Sequence, residues 1–186
     1  IVVSTALIAY GIIFIVLERR NRRLIADAKR RLSRSARGER PARGRRARAA
    51  AQAAAATGDE SNLIAEVTSF EELSYPRAFL IGIFEALAII PGTSRSGSII
   101  IGSMLLGTSR TVATEFAFFL AIPIMFGWSL VKFIKHGLAY TAAEWIIFAV
   151  GLVTAFLVSI VAIKFLIGYI KKNDFTAFGI YRIVLA

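Results

Sequence analysis

Two ionisable residues, Glu85 and Arg95, lie within the otherwise uncharged stretch at residues 78–106. An ionised side chain at membrane depth costs about 3 kcal/mol even on lenient scales, so each residue is a candidate for function. Arg95 lies between Ser94 and Ser96, which add hydroxyl donors. Its planar guanidinium suits bidentate contact with phosphate oxygens. This combination predicts an oxyanion site for a phosphate or diphosphate group.

Neighbouring residues with flexible backbone or hydroxyl groups are predicted to complete a substrate-binding loop: Gly92, Thr93, Gly97 and Ser98. The glycines allow a tight turn and close approach to a ligand, and the following helix N-terminus presents backbone N–H groups. Two structural alternatives remain open. Thr93 and Ser98 are also suited to capping that helix. Glu85 and Arg95 are also suited to a mutual ion pair that holds the two arms together.

The elements that position this loop are two short apolar arms within residues 78–106. Each arm has about 14 residues or fewer, whereas a membrane crossing needs roughly 20. The pattern therefore favours a re-entrant hairpin of two half-helices that enter and leave by the same face. Because irregular backbone at membrane depth must be buried in protein or line a water-filled cavity, the loop is expected to face an internal cavity.

Composition indicates an integral membrane protein. The chain has 186 residues, is 56% hydrophobic, and carries a net charge of +11. Residues 18–48 alone hold 14 basic and three acidic residues, 14 − 3 = +11, so the remainder is neutral overall. The chain contains no cysteine and a single histidine, which excludes thiolate chemistry, Cys-ligated zinc and a histidine metal cluster.

The predicted fold class is all-α, a polytopic membrane protein. Residues 1–17 are predicted to end a transmembrane helix, and residues 18–75 to form a basic, partly disordered cytoplasmic loop, because basic segments resist translocation. The predicted membrane domain is 76–186, with the re-entrant hairpin 78–106, transmembrane helices 112–134 and 145–170, and the start of a last helix at 175–186. Both ends of the chain lie in apolar runs, so we expect a piece of a longer protein.

The motif at residues 91–97, Pro-Gly-Thr-Ser-Arg-Ser-Gly, resembles a signature of the bacterial undecaprenyl-diphosphate phosphatases, also called bacitracin-resistance proteins. The resemblance continues through residues 115–118 and 122–123 to residues 177–182, and it points to the C-terminal portion of such a protein. It implies hydrolysis of a polyprenyl diphosphate to the monophosphate and phosphate, which recycles the lipid carrier of cell-wall synthesis. It also implies one half of an inverted-repeat architecture in the bacterial plasma membrane.

By this resemblance the catalytic residues are Arg95, which would grip the diphosphate, Ser94, Ser96 and Glu85. Glu85 would lie near a divalent cation, Mg²⁺ or Ca²⁺, or on a proton path. Two departures from the family stand out. The family's first, glutamate-rich signature would precede Ile1, so this chain alone is expected to be inactive. Ile99 occupies a position where many members carry threonine, and a hydroxyl is instead found on the adjacent Ser98.

A second class of function, a transporter or flippase for an anionic lipid or substrate, also fits a broken helix whose half-helix N-terminus faces an anion. Residues 18–48 contain no aromatic residue for base stacking, so no nucleic-acid partner is predicted. The predicted partners are the polyprenyl diphosphate, the membrane, and anionic lipid headgroups at the basic loop. A homodimer is left open.

Overall fold

A computed structural model describes residues 1–37, 45–136 and 141–186. Within these residues the chain forms seven α-helices: α1 (Val2–Ala36), α2 (Arg45–Thr57), α3 (Tyr75–Ala86), α4 (Arg95–Leu105), α5 (Arg110–His136), α6 (Ala142–Lys172) and α7 (Thr176–Leu185). Short 3₁₀ helices occur at Glu60–Leu63, Phe70–Glu72 and Leu87–Ile89. The described part of the chain contains no strand, which confirms the all-α prediction.

Helix α4 is the centre of the hydrophobic core. Every residue from Gly97 to Met104 is buried, because α3 and α5 pack on two sides of α4 and α1 lies nearby. Phe14 and Leu17 from α1 and Ala113 from α5 belong to the same cluster. Burial of an apolar side chain of this size contributes about 1.5–3 kcal/mol, so the α4 contacts fix the hairpin against the rest of the molecule.

The predicted hairpin at 78–106 corresponds to α3, an irregular turn and α4, which pack side by side. A Cβ atom added to Gly102 of α4 would lie 2.6 Å from the Cβ atom of Phe84 in α3, so only glycine fits this contact. Pro76 lies in the first turn of α3, where its missing N–H costs no helical hydrogen bond. The helix-loop-helix predicted at 78–106 is therefore present.

Helices α1 and α7 cross at two glycines. A Cβ on Gly11 would lie 2.8 Å from the carbonyl oxygen of Gly179, and a Cβ on Gly179 would lie 2.9 Å from that of Gly11. Small residues at a crossing allow two helix backbones to approach closely. This contact holds α7, and Arg182 within it, beside the N-terminal half of α1.

The prediction for residues 18–75 needs a correction. Helix α1 does not end near residue 17 but continues to Ala36, and α2 covers Arg45–Thr57, where a partly disordered loop was expected. Arginine, alanine and leucine are strong helix formers, and this composition lets the helix continue where the apolar pattern stops. The short helix at Phe70–Glu72, before the hairpin, begins with a capping box formed by Ser69 and Glu72. Residues 38–44 of the predicted loop lie outside the described residues.

Three of the described helices, α1, α5 and α6, are long and apolar enough to cross a membrane. Helices α5 and α6 cover the predicted spans 112–134 and 145–170, and α7 covers most of 175–186. The apolar side chains of α6 are exposed around almost its whole circumference, as expected for a helix whose neighbours are lipid or further protein. The chain is a membrane protein.

A buried polar network joins the segments at the opposite end of the core from the hairpin turn. Arg110, at the start of α5, donates two hydrogen bonds to the fully buried carboxylate of Glu18, at 3.0 and 2.5 Å. The backbone N–H of Phe175 donates to the same carboxylate at 3.3 Å. Asp59 accepts hydrogen bonds from Thr111 in the first turn of α5. This network fixes α1, α5 and α7 relative to one another.

Candidate functional site

The turn between α3 and α4 has two residues with left-handed backbone, Gly92 (φ 96°) and Ser94 (φ 65°). A Cβ added to Gly92 would lie 2.6 Å from the carbonyl oxygen of Val3, so glycine is required both by its φ and by the close approach of α1. Serine rarely adopts positive φ, and such strain tends to occur at functional sites. Ser94 is thus the one non-glycine residue among those described that has this conformation.

The N-terminus of α4 is accessible and carries three of the predicted catalytic residues. Ser94 and Ser96 are exposed, and the Arg95 side chain is 31% exposed. The Oγ atom of Ser94 caps α4 by accepting from the N–H of Gly97 at 3.3 Å. Among the residues that the structure describes, the N–H groups of Arg95 and Ser96 have no acceptor. Free amides, hydroxyls and a guanidinium at one helix N-terminus form a site suited to an anion.

Glu85 and Arg95 are close but not tightly bonded. Nε of Arg95 lies 3.9 Å from Oε1 of Glu85, a distance too long for a hydrogen bond. The Oε1 atom of Glu85 is buried and has no hydrogen-bond partner in the described part of the chain. The ion pair considered from the sequence is therefore present in a loose form. It leaves the remaining N–H donors of Arg95 available to a ligand.

Thr93 and Ser98, predicted to bind substrate, are buried behind the loop. The hydroxyl of Thr93 donates to the carbonyl oxygens of Ile90 at 2.9 Å and Leu87 at 3.1 Å. The hydroxyl of Ser98 donates to the Tyr10 hydroxyl oxygen at 3.1 Å. Both hydroxyls therefore support the loop from within, while Ser94, not Thr93 or Ser98, caps α4. A direct role of Thr93 and Ser98 in binding stays a prediction.

Arg182 of α7 is a loop-supporting residue that sequence reasoning did not assign. Its Nη2 atom donates to the carbonyl oxygens of Gly92 at 2.6 Å and Thr93 at 3.1 Å. The guanidinium also lies 5.7 Å from the ring centroid of Tyr10, within the range of a cation–π contact. The signal that identified Arg95, a cation inside an apolar helix, applies equally to Arg182.

The turn lies far from the basic end of the molecule. Gly92 contacts α1 at Val3, whereas the polar network contacts α1 at Glu18. These two positions are separated by fifteen residues of continuous helix, or about 22 Å along the axis.

The carboxylates near the loop before α4 do not by themselves form a metal site. In residues 1–37, 45–136 and 141–186 no group of three or more His, Asp or Glu side chains is arranged to hold an ion. Glu85 is the carboxylate that accompanies Arg95. Binding of a divalent cation at this loop would need ligands beyond Glu85.

The whole chain, including this loop, matches a known protein family. The family described as "Bacitracin resistance protein BacA" matches residues 1–186. Proteins named undecaprenyl-diphosphatase are similar to the chain. That of Acetivibrio thermocellus is 45% identical over 100% of this chain and 54% of its own length. That of Lachnoclostridium phytofermentans is 46% identical over 98% and 53%, and undecaprenyl-diphosphatase 1 of Clostridioides difficile is 47% identical over 99% and 52%.

The chain spans about half the length of the curated relatives it matches. The match covers the whole chain, however, and includes both the loop before α4 and the helix that carries Arg182. The resemblance inferred from the motif at residues 91–97 is thereby confirmed. With every residue inside the matched region, the chain belongs to the bacitracin resistance protein BacA family.

Proposed function

We propose that this chain supplies the diphosphate-binding half of a membrane phosphatase that converts undecaprenyl diphosphate to the monophosphate and phosphate. The observation that carries the proposal is the accessible N-terminus of α4, where Arg95, two backbone N–H groups without an acceptor among the described residues, Ser94 and Ser96 lie together. The names of the relatives support the choice of substrate.

In this proposal water attacks the terminal phosphorus atom, and the bond from that phosphorus to the bridging oxygen breaks. The products are inorganic phosphate and the lipid monophosphate. Charge spreads over the non-bridging oxygens in the transition state, and fixed donors aimed at these oxygens lower the barrier. Arg95 would bind two of these oxygens through its planar guanidinium. The backbone N–H groups of Arg95 and Ser96 would donate to them along the direction of the α4 axis. The group that activates water is not assigned to a residue of this chain.

A divalent cation, Mg²⁺ or Ca²⁺, remains part of the proposal. Glu85 would contribute one carboxylate ligand, and phosphate oxygens of the substrate would contribute others. Such an ion, when bound, would neutralise charge on the phosphoryl group. The contribution of this chain is the loose contact between Glu85 and Arg95, which leaves both groups able to turn towards an anion and its counterion.

We also propose a multi-pass orientation in the bacterial plasma membrane with the basic part of α1 on the cytoplasmic side, where it contacts anionic lipid headgroups. The hairpin would then enter from the cytoplasmic side, and its turn would lie deep, towards the outer leaflet. A cysteine introduced at Ser33 should be labelled by an impermeant maleimide only after cells are opened. Labelling of intact cells would contradict this orientation.

A homodimer stays a prediction that mass measurement in detergent would test.

Arg182 is expected to position the loop without contacting substrate. Arg182→Gln removes a charged donor to the carbonyl oxygens of Gly92 and Thr93, interactions worth about 1.5–3 kcal/mol. We expect phosphate release by the full-length parent protein to fall about tenfold, mainly in kcat, and Arg182→Lys to recover part of the loss. Arg34→Gln, on the exposed basic end of α1, is the matched control. Equal activity of Arg182→Gln and Arg34→Gln would remove this positioning role.

The experiment that tests the function is phosphate release from a long-chain polyprenyl diphosphate by the full-length parent protein in detergent. Release that depends on the loop supports the phosphatase. The carrier alternative needs an anion site but no hydrolytic water. If purified parent protein releases no phosphate yet moves the lipid across proteoliposomes, the proposal is wrong and the carrier is favoured.

A further inference from the structure

A second polar site lies at the opposite end of the molecule from the hairpin turn. A cleft of about 600 Å³ opens where α1, the segment after α2, the start of α5 and the α6–α7 turn meet. Its volume is within the range of small-molecule sites. Five of its lining residues are basic: Arg22, Lys29, Arg110, Lys171 and Lys172. Two are acidic, Glu60 and Asp174.

Three of the five cations already have acidic partners. Lys29 pairs with Glu60 at 2.6 Å, and Arg110 pairs with the buried Glu18. Arg22 pairs with Asp174. Although partial burial acts to raise it, hydrogen bonds from Arg22 and from the N–H of Thr176 leave the pKa of Asp174 below its ordinary value. The Arg22–Asp174 pair is therefore formed between ionised groups, and each of the three cations has its acidic partner within reach.

Lys171 and Lys172 are the remaining cations. Within residues 1–37, 45–136 and 141–186, neither lysine has an acidic partner. Lysines in the last turn of a helix also interact favourably with its dipole, which alone accounts for their presence at the end of α6. The dipole does not account for their position on the wall of a concave cleft, where low-dielectric surroundings strengthen the attraction of an anion.

We propose that this cleft binds a phosphate group, with Lys171 and Lys172 as its unneutralised cations and Arg22 at its edge. Its wall includes the last turn of α6, which directly follows the long apolar part of that helix. The cleft is thus at the level of lipid headgroups, and the phosphate of an anionic phospholipid is the source closest to it. Free inorganic phosphate offers the same chemistry. This site is about one membrane leaflet or more from the α4 loop and does not depend on the proposed hydrolysis.

The test uses the full-length parent protein and two double variants that each remove two positive charges. Lys171→Gln/Lys172→Gln changes the cleft at the end of α6, and Arg30→Gln/Arg31→Gln changes exposed residues of α1 outside the cleft. Retention of phosphatidylglycerol, with phosphatidylcholine as reference, is measured by native mass spectrometry. Binding of inorganic phosphate is measured by calorimetry. Phosphate release and thermal melting are measured in parallel, so that a folding defect or a failure of the phosphatase proposal is recognised separately.

We expect the lysine double variant to lose phosphatidylglycerol retention by roughly tenfold. The arginine double variant removes only headgroup contacts on the open surface of α1, which hold a lipid less tightly than a concave cleft, and should lose less than about twofold. Loss of inorganic phosphate binding in the lysine variant alone would support the site with free phosphate as its ligand. Equal losses in the two variants would show a general charge effect and overturn the proposal. The proposal would also be overturned if the wild-type protein retained phosphatidylglycerol no better than phosphatidylcholine and bound no inorganic phosphate.

Discussion

Arg95→Lys is expected to lower phosphate release by the full-length parent protein by about a hundredfold. Lysine keeps the positive charge but loses the planar fork that binds two phosphate oxygens at once. Arg95 lies in the first turn of α4, 3.9 Å from Glu85, with part of its guanidinium exposed. Because a compact ammonium at this position can approach only one oxygen well, the loss is expected in the transition state, where charge on those oxygens is greatest.

The matched control is Arg77→Lys at the start of α3. Arg77 also forms an ion pair on the hairpin, donating to Glu66 at 2.7 Å, but it is at the end away from the turn. An effect of less than about twofold is expected there, as for a partly exposed pair. The measurement is steady-state phosphate release over a range of lipid concentrations. Unchanged kcat/KM for a folded Arg95→Lys variant would remove Arg95 from the site.

The loop could be predicted from the sequence because its signal is local. An apolar stretch too short for two crossings, interrupted by Pro91, Gly92 and a cation, has few explanations in a membrane. The structure agrees on the two arms and on the accessible Ser94, Arg95 and Ser96. What local pattern cannot provide is which hydroxyl caps the helix. Thr93, Ser94 and Ser98 are all plausible caps. Only the start of α4 at Arg95 and the hydrogen bond from the N–H of Gly97 to the Ser94 hydroxyl decide between them.

The support behind the loop could not be predicted, because it depends on distant segments. Arg182 contacts Gly92 across ninety residues, and Tyr10 contacts Ser98 across eighty-eight. Neither spacing is visible in a periodic pattern. The crossing of α1 and α7 at Gly11 and Gly179 brings Tyr10 and Arg182 together behind the loop.

At the basic end, the composition led to a wrong prediction of a loop. Residues 18–36 carry charges that favour water, which suggested a loop, but charge and helix propensity are separate properties. Glu18 illustrates the difference. In the sequence it precedes Arg19 and Arg20 and indicates the end of the membrane span, yet in the structure its carboxylate is fully buried. Its partner, Arg110, is 92 residues away.

Breaking the Glu18–Arg110 pair is expected to destabilise the fold by about 3–5 kcal/mol, because removal of one partner leaves the other charge buried and uncompensated. The side chains are 0% and 7% exposed, so water cannot replace the lost partner. Glu18→Gln keeps an acceptor for the N–H of Phe175 and removes only the charge. Arg110→Met removes the opposite charge with a side chain of similar length. The free energy of unfolding in mixed micelles is the quantity to measure.

The double variant Glu18→Gln/Arg110→Met separates charge from packing. If each single change lowers stability because it leaves an unpaired charge, the double variant should be more stable than the less stable of the two single variants, since no uncompensated charge remains. The exposed pair of Lys29 and Glu60, with side chains 52% and 57% exposed, provides the control. Glu60→Gln should change the free energy of unfolding by no more than about 1 kcal/mol. If the two single costs simply add in the double variant, the pair is not coupled, and the junction of α1, α5 and α7 is held by apolar contacts such as that of Phe14 with Phe175.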